Sequence, residues 1–168
     1  MRPWFEAISI GLVCGFLAGC QYNPWANGFL KAQPAEGDLV GTYKVDSDTL
    51  TRKFSIPMNS KILPISRDAR IELAADHKVQ FLQIPDVDEF AQRVCVISGT
   101  GSWQVNRNDD YAVIDVKIQR KDESRLHDEC SPTYDGELML YGLKPPYKLH
   151  ITMGDPDSGD ALQFEKAN

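Results

Sequence analysis

Three groups of residues in this chain have the types and spacing to do chemistry. Asp155, Asp157 and Asp160 lie in "GDPDSGD", and alternating carboxylates are how a calcium loop presents oxygen ligands. The EF-hand pattern needs glycine at its sixth position and a distal glutamate. Here glycine comes fifth and proline second, so the stretch reads as a hairpin turn. Pro156 suits the second position of a type I turn, and Gly159 the left-handed position of a bulged hairpin. His127-Asp128-Glu129-Cys130 offers metal-ligand types, but no second ligand pair stands at a recognisable spacing. His77 falls in a turn and His150 on an outward strand face, so neither joins a triad. The sequence contains no G-x-S-x-G, P-loop or paired-histidine helix. Paired acids for glycoside chemistry depend on separation in space. These residues point to a non-enzymatic protein with no metal or cofactor.

The amino terminus is more specific. A single arginine, Arg2, and an acid, Glu6, precede the apolar stretch 8–18, which is shorter than the roughly 20 residues a membrane-spanning helix needs. It has the length of a secretory h-region followed by small residues. In "FLAGCQ" (16–21), Leu17-Ala18-Gly19-Cys20 resembles the lipobox of bacterial lipoprotein signals. The resemblance implies that 1–19 is a removable signal peptide and that Cys20 is acylated to become the new amino terminus. Gln21, in place of the aspartate of inner-membrane retention, implies the outer membrane, facing the periplasm. Several acyl chains on one cysteine make a durable anchor where a single chain would not.

Export changes how the four cysteines read. Cys14 leaves with the signal and Cys20 takes the lipid, so Cys95 and Cys130 remain. In an oxidising compartment an isolated pair without C-x-x-C spacing is most simply a structural disulfide. Arg2 and Glu6 leave together, so the mature chain keeps the formal net charge of −6. A chain this acidic, with no basic run, has no electrostatic footprint for nucleic acid, and the acyl anchor must supply the membrane contact. The length suits one domain with its own core, expected as a monomer.

The elements that would position these residues are mostly strands. Residues 20–37 hold prolines and glycines without periodicity and read as a lipidated tether. Trp25 and Phe29 can either graze the membrane interface or pack on the chain's own domain. The domain proper, 38–168, begins with Leu39, Gly41, Tyr43 and Val45 on one face of a strand. Residues 46–68 are left without assignment. Ile71 and Leu73, then Val79 and Phe81, form a hairpin about "AADHK". "DVDEFAQRV" (86–94) predicts the one short helix, with Asp86 and Glu89 at capping-box spacing. Further strands carry Gly101, Trp103 and Val105; Ile114, Val116 and Ile118; Leu138 and Leu140; Leu149, Ile151 and Met153; and Leu162 and Phe164.

About eight closely spaced strands with no βαβ signal predict an all-β fold, an antiparallel meander able to close into a barrel. "DLVGTYKV", with Tyr43 where the lipocalin first strand has Gly-x-Trp, together with "GSWQV" and "GDPDSGDALQFEK", resembles small bacterial lipocalin-like proteins of unassigned activity. The resemblance implies a β-barrel and carries over no catalytic residue. Tyr43, Phe81, Trp103 and Phe164 lie on the inward faces, where they can line a ligand cavity or simply fill the core. The leading functional reading is a non-enzymatic module that binds a small apolar ligand or an envelope protein. A second reading is an inhibitor or immunity-type protein whose acidic turns "NRNDD" and "DPDSGD" engage a basic active site. A third, a hydrolase, would need clustered acids, or a histidine near a serine, in a cleft.

Overall fold

The computed structural model describes residues 25–46, 49, 67–87, 94–108, 110–121, 130–153 and 159–167. Eight strands follow one another: β1 (Gly41–Val45), β2 (Arg70–Leu73), β3 (Lys78–Val87), β4 (Val94–Asn108), β5 (Tyr111–Arg120), β6 (Thr133–Tyr141), β7 (Lys148–Thr152) and β8 (Ala161–Lys166). Each pairs antiparallel with the next, and β8 returns to β1 through Tyr43↔Lys166 and Val45↔Phe164, closing the barrel. Closure removes the unpaired edges that an open sheet would present.

The inward faces are those that the alternation predicts. Tyr43, Ile71, Phe81, Trp103, Ile114, Val116, Ile118, Leu138, Leu149, Ile151, Leu162 and Phe164 all belong to one buried core. Gly99 and Gly101 let β4 and β5 approach closely. A Cβ at Gly101 would come 1.7 Å from the carbonyl oxygen of Lys117, and one at Gly99 2.1 Å from that of Gln119.

The predicted helix over 86–94 is corrected where its ends are described. Asp86 and Val87 close strand β3, paired with Cys95 and Val94 of β4, while 88–93 lie outside the described residues. Capping-box spacing is a local signal, and a two-turn helix has little stability of its own. Here the cross-strand ladder prevails. β3 reaches this far by way of an irregularity between Phe81 and Ile84, where Gln83 takes φ 53° and donates its backbone N–H to Ser98 Oγ at 2.9 Å. A short helical turn is instead found at α1 (Glu36–Leu39). Leu39, expected in the first strand, ends that turn fully buried.

Because the strands form a meander, the connections separate into two ends. The turns after β2, β4 and β6 leave one end, where α1 leads into β1. The connections after β1, β3, β5 and β7 leave the other, and the first of these, between Val45 and Arg70, is the longest. At the short-turn end Leu30 and Leu39 join the core. Tyr43 donates its hydroxyl to the Leu39 carbonyl at 2.8 Å, and Trp103 its indole N–H to the Ala74 carbonyl at 3.0 Å. Burial, with Asp38 nearby, raises the Tyr43 phenol well above its ordinary pKa and keeps it a donor.

Candidate functional site

The long-connection end carries the charged group that sequence reasoning missed. Arg120 ends β5 in phase with the inward residues Ile114, Val116 and Ile118. Its side chain is 3% exposed, and Nη2 donates to Asp86 Oδ2 at 2.6 Å; the Asp86 side chain, 36% exposed, opens toward solvent. Tyr134 lies nearby on β6. Burial and the Asp86 carboxylate push its phenol up to about 12, against the opposing effect of Arg120, so it stays neutral through the physiological range. Its ring meets Phe81 with centroids 6.0 Å apart.

Cys95 and Cys130 form the expected disulfide, with a sequence separation of 35 and 5.9 Å between their Cα atoms. The register sets Cys95 opposite Asp86. The Arg120 backbone N–H donates to the Pro132 carbonyl at 2.9 Å. The staple and the ion pair therefore hold the ends of β3, β4, β5 and β6 together.

Tyr43, Phe81, Trp103 and Phe164 are all inside the barrel and all members of the buried core. Two concavities with other linings lie on the described surface. One, of about 380 Å³, is bounded by Lys44, Tyr147, Lys148, Glu165 and Lys166. Its lysines are partly committed: Lys148 pairs with Asp46, and Lys166 donates to the Asp38 carbonyl. The other, of about 470 Å³, is a shallow trough over β4, β5 and β6 between Thr100, Lys117 and Asp135.

His77 and His150 stand on different elements. His77 sits in the β2–β3 turn with φ 61° and contacts Glu36 Oε2 at 3.0 Å. His150 does face outward from β7, but it is 1% exposed rather than solvated. Trp25 and Phe29 cover it, with ring centroids 5.0 and 5.1 Å away. Trp25 also donates its indole N–H to the Gly159 carbonyl at 2.9 Å, and Phe29 forms a bridge with Tyr141. Leu30 is wedged between strand ends, donating its backbone N–H to the Leu140 carbonyl and accepting the Ala112 N–H on its own carbonyl. Of the two alternatives for Trp25 and Phe29, packing on the chain's own domain is the one observed.

Gly159 takes the left-handed conformation expected of it, φ 71°, and the Met153 N–H donates to the Asp160 carbonyl. Asp155, Asp157 and His127-Asp128-Glu129 lie outside the described residues, as do Cys20 and the segment 1–19. Among the described residues no group of three or more His, Cys, Asp or Glu side chains is placed to hold a metal, and no helix is long and apolar enough to cross a membrane. Comparison with protein-family models, with curated proteins and with solved structures finds no match.

Proposed function

We propose that this chain is a lipid-anchored envelope protein, held at the outer membrane through acylated Cys20 and facing the periplasm. Its closed barrel serves as a binding module for a small ligand at the long-connection end. The observation that carries the binding reading is the asymmetry of the barrel. Short turns, α1, Leu30 and Leu39 gather at one end, whereas the other holds a buried, charged arginine beside a partly open carboxylate. Binding sites in small barrels lie in their mouths, with a few polar groups placed among apolar walls.

The anchor rests on the sequence "FLAGCQ". The packing of Trp25 and Phe29 on β6 and β7 leaves only the short stretch from Cys20 to Trp25 between the proposed lipid and the barrel. On this reading the protein works close to the membrane surface.

In the inhibitor reading each acidic turn would act on its own. "NRNDD" spans the end of β4 and the turn into β5, and "DPDSGD" lies between β7 and β8, so the two acidic stretches belong to opposite ends of the meander. An envelope protein as partner remains compatible with the same long-connection end.

The anchor is tested by metabolic labelling with radioactive palmitate in a bacterial host. The native chain is expected to take up label and fractionate with outer membranes, while Cys20→Ala stays unlabelled and about 2 kDa heavier, the mass of an uncleaved h-region signal. Equal labelling of both proteins would remove the anchor from the account.

A further inference from the structure

The Arg120 guanidinium is only partly used. Asp86 accepts from Nη2, but Nε and Nη1 are buried and meet no hydrogen-bond partner. Those two nitrogens carry three of the five N–H donors of the group. Unmatched donors on a buried cation cost stability, more so than on a neutral group. An ion pair kept only to hold strands together could be exchanged for apolar residues without loss. The unspent donors mark a place where an acceptor from outside the chain would be stabilised.

The chemistry of that acceptor follows from the surroundings. A guanidinium favours oxyanions, to which it gives charge-assisted hydrogen bonds. Nε and Nη1 face different edges of the group, so each serves an acceptor singly, or as a fork only together with the second Nη2 hydrogen. Its charge is already balanced by Asp86, so an incoming monoanion leaves one net negative charge in a buried place and a dianion leaves two. The cost of burying charge rises steeply, which favours a carboxylate over a phosphate. Tyr134 stands on β6 at the same end, its ring against Phe81. Val87 and Tyr134, partly exposed and packed against the core at this end, offer apolar contact to whatever follows the carboxylate.

We infer that Arg120 binds the carboxylate of a small amphipathic molecule entering at the long-connection end, with Asp86 as the internal anion it must compete with. This rests on the reading of the barrel as a binding module and names its ligand class.

The test is calorimetric titration of the mature chain, residues 20–168 produced without the signal segment and carrying Cys20→Ser so that no acyl chain is added, with octanoate, octanol and octyl phosphate. Octanoate is expected to bind one molecule per chain, at least about tenfold more tightly than octanol, and Arg120→Met should abolish that preference. Asp86→Asn, by removing the competing carboxylate, is expected to tighten octanoate binding about tenfold. This variant keeps the proposal falsifiable if Arg120→Met does not fold. Equal binding of octanoate and octanol would overturn the proposal, and so would an unchanged octanoate affinity in Asp86→Asn or no binding to either protein. Tighter binding of octyl phosphate than of octanoate would overturn the choice of carboxylate. Any of these failures leaves the binding-module reading intact, because that reading is measured by what the barrel retains from the envelope.

Discussion

Phe164→Ala is expected to lower the unfolding free energy by about 3–5 kcal/mol, the range for deleting a fully buried aromatic ring from a close-packed core. Phe164 is completely buried on β8, paired with Leu149 of β7 and Val45 of β1 at the seam that closes the barrel. The size of the loss bears on function as well as stability. If the four interior aromatics are core, truncation opens a void whose lining loses its contacts outright. If they line a hollow that holds a ligand, truncation widens space that already exists and costs less than half as much. Urea denaturation of the two proteins, at equal slope, separates these cases. A small loss would move the proposed binding site from the mouth into the interior, with Tyr43, Phe81, Trp103 and Phe164 as its lining.

The second large effect is expected from the staple. Replacing Cys95 and Cys130 together with alanine releases a loop with a sequence separation of 35, for which the chain-entropy model gives a loss of about 4 kcal/mol. The released region matters because Cys95 faces Asp86 across β3 and β4, and the Arg120 N–H reaches Pro132 just past Cys130. Loss of the bond should therefore loosen the Arg120–Asp86 pair before the opposite end. Native-state hydrogen exchange would show faster exchange at Arg120 and Cys95 positions, with Trp103 and Leu30 still protected. Uniform loss of protection across the barrel would mean that the disulfide is not a local brace of the mouth.

The strands were legible because half-buried strands alternate, and the alternation of Ile71, Phe81, Val116, Leu138 and Phe164 is preserved in the barrel register. Arg120 was legible in principle by the same rule, since it stands in phase with Ile114, Val116 and Ile118. An arginine continuing an apolar inward stripe is the signal that could have found it. Asp86 was concealed by its own chemistry, because an aspartate followed three residues later by a glutamate looks the same at a helix start as in an exposed strand end. Only the pairing of Asp86 with Cys95 distinguishes the two. His150 shows a different limit. Its outward direction was read correctly, but direction is local whereas burial is not. The rings that cover His150 belong to residues more than a hundred positions earlier in the chain.

The central claim, that the barrel is a binding module, is tested most directly by what it retains. The mature chain, residues 20–168 without the signal segment and with Cys20→Ser, incubated with envelope extract, re-isolated and weighed intact by native mass spectrometry, is expected to carry one bound small molecule or one protein partner. That occupancy should be lost in Arg120→Met if the mouth is the site. Recovery of the protein at its own mass alone, from extracts in which other envelope binding proteins emerge loaded, would contradict the claim.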